Sequence, residues 1–257
     1  MALRAAEQHY TEQSRLAALI TRRVRGLWGK VPPEDVNTWK SLLREAASVV
    51  AAGQYRAAGN AETYVAVALG QQGVEVAPEA VVRAVGFVGY ANDGRPLLSL
   101  LDQPRISTLT AIAQGMEAVQ ALKLGGRQAE MLATSTVQDA GRQADSVAIF
   151  SRPNVGWVRM VNPPCCDRCA VQAGKFFRSN EGFQRHPRCS CQHVPSVGDT
   201  SIGPQRADLL ATSTGGGLKG MSTTDTPKGR PTPDSIYRMG SGRDETLALL
   251  ERWGFAA

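Results

Sequence analysis

Apolar positions in the first two-thirds of the chain recur at helical spacing. Leu16, Ile20, Val24 and Trp28 fall every four residues, while Arg15, Arg22, Arg23 and Arg25 lie largely on the other side. Gly29 and the Pro32-Pro33 pair predict the end of this helix. A second helix is predicted on the stripe Trp39, Leu42, Leu43, Ala46, Val49 and Val50, closed by Gly53. Asn60 is placed to cap a third, running through Tyr64, Val65 and Leu69 to Gly70, and Pro78 to open a fourth containing Val81, Val82, Val85 and Val88. After the Asn92-Asp93-Gly94 turn signal, an alanine-rich stretch from about Ser107 to Ser146 carries Leu109, Ile112, Met116, Val119 and Leu122. Gly125-Gly126 predicts a break in it, because two adjacent glycines cost about 2 kcal/mol in a helix interior. All these apolar residues read as core.

The period changes after Phe150. Val155, Trp157, Arg159 and Val161 include the alternation of a half-buried strand that ends at Pro163-Pro164. Phe176-Phe177 and Gln192 to Val194 supply two further short strands. The fold class is therefore α+β: a helical body over 1–150, then a small β module over 151–197. A flexible linker is predicted over 198–242, rich in Gly, Ser, Thr and Pro from Ser213. A terminal helix over 243–257 would use Leu247, Leu250 and Trp253. So short a helix is marginal alone in water and must dock on this chain or on a partner.

Composition narrows the function classes. Hydrophobic residues make up 42% of the 257 and charged residues 20%, as in ordinary globular proteins. No run of eighteen uncharged apolar residues exists, which argues against a membrane partner, and the charged start MALRAAEQHYTEQSR argues against a signal peptide. All five cysteines lie between Cys165 and Cys191. An odd number cannot pair fully, and thiols kept reduced beside histidines suggest a metal.

Cys166 and Cys169 form a C-x-x-C turn, and His186, Cys189 and Cys191 form a second cluster. Two such clusters joined by a loop build a tetrahedral zinc site. The candidate ligands are Cys166, Cys169, His186, Cys189 and Cys191, one more than zinc needs. The favoured set is Cys166, Cys169, His186 and one of Cys189 or Cys191, with Cys189 preferred because His186-x-x-Cys189 repeats the first spacing. The rival set uses four cysteines and leaves His186 outside as a hydrogen-bonding partner. Cys165 reads as a spare packed thiol and His193 as a strand-surface histidine. Surplus ligands, few nearby carboxylates and no H-E-x-x-H point to a closed structural zinc rather than a catalytic one.

From Arg152 to His193 seven basic residues stand against Asp167 and Glu181, a net charge of +5 out of the chain's +6. Either these residues contact phosphates or they are solvated arginines around the knuckle.

Cys166-Asp167-Arg168-Cys169, Gly174-Lys175-Phe176-Phe177 and His186-Pro187-Arg188-Cys189-Ser190-Cys191 together resemble the signature of phage Mu F-type (MuF) minor head proteins. Ser190 stands where that signature usually has arginine. The resemblance spans about forty residues, and the segment PTPDSIYRMGSGRDETLALLERWGF looks like actinobacteriophage relatives. It implies a minor capsid protein assembled in the host cytoplasm and carried in the virion, inside the capsid near the portal. Its partners would be the portal protein and other phage head proteins, and its role head assembly or DNA delivery. DNA is a further candidate partner through the basic module. Two other classes compete: a capsid maturation protease or zinc-dependent DNA-processing enzyme, and a non-catalytic nucleic-acid-binding zinc module. No convincing catalytic constellation is legible, so no catalytic residue is assigned.

Overall fold

The computed structural model describes residues 3–162, 165–182, 185–186, 189, 191–198, 201 and 229–257. Most of the predicted linker therefore lies outside the described residues.

The apolar stripes build a helical body. Helices α1 (Arg4–Trp28), α2 (Trp39–Gly59) and α6 (Ala118–Phe150) pack against one another, with α5 (Gln103–Ala113) along α6. Ile20, Val24, Trp28, Trp39, Val50 and Val137 form one core between them. Trp28 meets Trp39 edge-on at 4.9 Å, and the Trp39 indole N–H donates to the Leu101 carbonyl at the end of α4 (Leu97–Leu101). Helix α3 (Ala61–Gly70) leads from α2 towards the sheet.

The sheet is antiparallel, with β1 (Gly156–Met160) between β2 (Phe176–Phe177) and β3 (Gln192–Ser196). Trp157 pairs with Phe177 and Pro195, and Arg159 with His193. Every residue of β1 and β3 is buried, so β1 is not the half-buried strand its alternation predicts. Val158 and Val194 join a second core that runs from Tyr64, Leu69 and Ile149 through Cys169, Cys189 and Cys191 to Ile236 and Leu250. The cysteine-bearing segment thus shares its core with the helices.

Several local expectations fail for tertiary reasons. Residues 78–88 are not a helix. Their backbone pairs with the end of the chain: Val81 N–H donates to Ala257 O (2.7 Å) and Arg83 N–H to Phe255 O (2.9 Å). Val82 bridges Ala256, and only Ala84–Phe87 forms a 3₁₀ turn. Gly53 does not close α2. It is buried within the helix, where a Cβ would lie 2.8 Å from Ile20 and 2.9 Å from Val137. Asn60 makes no side-chain cap for α3.

The long helical stretch breaks at Gly115 (φ +91°) and not at Gly125-Gly126. Gly125 faces Thr108 and Trp28, and a Cβ there would stand 2.1 Å from the Thr108 hydroxyl and 2.6 Å from the Trp28 ring. Gly125→Ala, which intrinsic propensity would favour by about 1 kcal/mol, is therefore expected to destabilise the protein by about 1–3 kcal/mol. Urea denaturation checks this, and a stabilised variant would refute the packing argument.

The predicted linker contains α8 (Pro233–Met239), opened by a capping box between Thr232 and Ser235. It leads into α9 (Arg243–Arg252), which docks on this chain's own body through the fully buried Leu250. Trp253 is 36% exposed, and Phe255 (3%) takes the buried role instead. No helix among the described residues is long and apolar enough to cross a membrane.

Candidate metal centre

Cys166 is the N-cap of α7 (Asp167–Gln172) and Cys169 lies three positions on. The N-cap and third positions of a helix face each other, as they do in a capping box, so the C-x-x-C spacing gathers both sulfurs. On the second arm, Cys189 N–H donates to His186 O (3.1 Å), which ties the two residues at the backbone. Cys191 follows at the entry to β3.

The arms converge. His186 Nε2 lies 3.1 Å from Cys166 Sγ and 3.3 Å from Cys169 Sγ, and Cys169 and Cys189 sulfurs are 3.7 Å apart. The five donors form two overlapping triads, Cys166–Cys169–His186 and Cys169–Cys189–Cys191, each with its donor atoms within 4.8 Å of one another. Cys169 belongs to both. Thiolates bound tetrahedrally to one ion at ~2.3 Å stand ~3.8 Å apart, the separation of Cys169 and Cys189. The imidazole–sulfur distances are a few tenths of an ångström shorter than such an ion sets, so they would open slightly around it. All five cysteines are free thiols.

Each of the five sequence-predicted ligands therefore falls in one triad or the other, with Cys169 as the link between them. Cys165 is buried outside both triads, in keeping with a packed thiol. His193 is not at the surface. It is fully buried, edge-on to Trp157 at 4.4 Å. Burial, then the charges of Arg142 and Arg159, push its imidazole well below the ordinary histidine value, so it is neutral.

The surroundings are cationic. Arg159 is buried with Nη2 3.9 Å from Cys189 Sγ. Arg142, on α6, donates through Nη1 to the carbonyls of Cys189 (2.9 Å) and Cys191 (3.2 Å), and through Nη2 to Asp139 (2.8 Å). Arg185 also grips Asp139. Hydrogen bonds from Cys169 and Cys191, and then the charges of Arg142 and Arg159, hold the Cys189 thiol far below its usual range despite its burial. Cys169, donating to Cys189, is pushed up. Buried sulfurs beside two guanidiniums are donors suited to a soft cation.

The basic excess is neither a phosphate face throughout nor a solvated shell. Arg152 and Arg159 are buried, Arg152 against Glu62 and Arg159 against the sulfurs, and Arg185 is paired with Asp139. Lys175 and Arg178 remain exposed. Arg188 lies outside the described residues.

No protein-family model, curated protein or solved structure matches the chain.

Sequence reasoning missed Asp139 and Arg142. The available signal was an Asp and an Arg three apart among the small residues of α6, flanked by Ala140, Gly141 and Ala144. A second buried pair, His9 Nε2 and Asp145 at 3.0 Å, ties α1 to α6 beneath the site, with His9 stacked on Tyr64 at 3.8 Å. Tyr64 in turn donates to the His193 carbonyl at 2.6 Å. Arg142→Met would strip two carbonyls and a buried carboxylate of a shared donor. A loss of about 3–5 kcal/mol in unfolding free energy is expected, with metal affinity falling about 10–100-fold. Chelator competition reads the affinity; an unchanged value would show that Arg142 does not position the Cys189–Cys191 turn.

Proposed function

We propose that this chain is a MuF-like minor capsid protein of a tailed phage, placed in the capsid interior near the portal, with one structural zinc. The observation that carries the metal reading is the convergence of the C-x-x-C and H-x-x-C arms on Cys169. Sulfur and imidazole donors suit zinc, and no carboxylate belongs to either triad. Cys166, Cys169, His186 and Cys189 are the proposed ligands, the last because its sulfur stands 3.7 Å from that of Cys169. Cys191 is then the thiol left beside the centre. Three thiolates around a divalent ion leave one net negative charge, which the buried Arg159 offsets. The resident metal acts as a cross-link, fixing a loop that two short hydrogen-bonded strand residues, Phe176-Phe177, would hold weakly.

The assignment to a phage head rests on the motif resemblance, and the arrangement suits it in being a staple. Asp139, the carboxylate beside the Cys189–Cys191 turn, is held by two guanidiniums and is not poised as a general base.

Elemental analysis of protein purified under reducing conditions should find one zinc per chain. Co-expression with the portal protein of the phage encoding the chain should recover a complex. Failure to bind the portal or any other head protein overturns the capsid placement and leaves the zinc reading standing. Metal-dependent cleavage of DNA or capsid precursor would instead establish an enzyme.

A further inference from the structure

A cleft of about 470 Å³ opens between the β module and the C-terminal helices, on the side of β1 and β2 where Phe176 lies. Its floor is Phe150, Val155, Phe176 and Tyr237, and its rim includes Arg178, Ser179, Asn180 and Arg243. No carboxylate is among its lining residues, so two guanidiniums and several amide and hydroxyl groups set its polarity. A space of this size with an apolar floor and a few convergent polar groups has the proportions of a ligand site.

Two details give the site a direction. The Phe176 ring lies against β1 where the chain has Gly156; a Cβ there would stand 2.5 Å from the ring's Cζ. The ring is 39% exposed, so it is supported on the strand and still open to the cleft, whereas its neighbour Phe177 is stacked inward on Trp157 at 4.2 Å. Beyond it, Arg178 is exposed and has no ion-pair partner among the described residues. Arg243 is already engaged by Glu79 at 2.6 Å and sits over the Phe150 ring, so it shapes the wall. The first turn of α9 offers no anion site, because Glu245 already accepts from the Ser241 backbone N–H (2.8 Å).

We propose that this cleft binds a nucleotide unit, its base stacked on Phe176 and its phosphate held by Arg178 with Ser179 and Asn180. Supported aromatic faces beside a cation are the elements by which proteins hold unpaired bases, and they act on any base because each has a π-face. The same chemistry is offered by a free nucleotide and by a nucleotide within a single strand. The inference rests on the cleft and is independent of the capsid placement.

The test uses the zinc-loaded full chain at low salt, with fluorescence anisotropy of a labelled ten-nucleotide oligothymidylate and calorimetry of AMP. Binding of either probe, weakened about ten-fold by Phe176→Ala and lowered with a shallower salt dependence by Arg178→Gln, supports the proposal. Binding of the oligonucleotide without AMP assigns the unit to a strand; equal binding of both assigns it to a free nucleotide. Asn180→Asp, an exposed change that adds a negative charge at the rim, should also weaken binding. It decides the matter with Arg178→Gln if Phe176→Ala loses zinc or melts earlier. Absence of binding by both probes at millimolar concentration overturns the proposal, as does binding unaffected by Arg178→Gln and Asn180→Asp.

Discussion

With zinc held as proposed, Cys169→Ser is expected to lower the bound metal from one equivalent per chain to none and to open the segment after Phe150 to proteolysis. Cys169 is the donor common to both triads, so its loss leaves neither of them intact. Serine keeps the size but supplies a hydroxyl too basic to bind as an anion at neutral pH. Structural zinc contributes about 10–16 kcal/mol in small zinc-dependent peptides. The effect here reaches further than the turn itself, since Cys169 and Cys189 are buried in the core that also holds Ile149, Trp157 and Leu250. Cys191→Ser is the informative contrast: with Cys189 as the fourth ligand, zinc remains and only its affinity falls. Zinc content and limited proteolysis of both variants read the outcome. Retention of a full equivalent by Cys169→Ser would sink the centre, as would a metal-free native protein of unchanged stability under reducing conditions.

Phe255→Ala should cost about 3–5 kcal/mol of unfolding free energy, the range for emptying a buried aromatic site. The ring is 3% exposed, 5.1 Å from the Phe87 ring and covered by the Arg230 guanidinium at 4.6 Å. Arg230 itself donates to the Gly86 carbonyl (2.8 Å) and to that of Trp253, tying three distant segments together. The strap from Phe255 to Ala257 also completes the backbone of residues 81–83, so a cavity beneath it weakens those hydrogen bonds too. Trp253→Ala, at a half-exposed position, should cost less than about 1 kcal/mol. Urea denaturation of the two variants separates them. Equal costs, or less than about 1 kcal/mol for Phe255→Ala, would show that the end of the chain is not part of the folded core.

The sequence by itself determined what depends on near neighbours. Four-residue spacing of Ile20, Val24 and Trp28 placed them in a core because a helix repeats every 3.6 residues wherever it packs. Cys166 and Cys169 were readable as a pair because one helical turn joins them. Three strands were legible from short apolar runs at Trp157, Phe176 and Val194. What tertiary structure alone decided involves partners far along the chain. Residues 81–83 are held out of a helix because residues 255–257 supply their hydrogen bonds, and Gly125 has to be glycine because Trp28 and Thr108 occupy the space of a side chain. His193 and Arg142 are buried because polar groups from α1, α3, α6 and the cysteine loop meet there, a convergence no local pattern encodes. The competition between Cys189 and Cys191 is likewise a matter of ångströms, since two donors two residues apart differ only in how the folded loop presents them to Cys169.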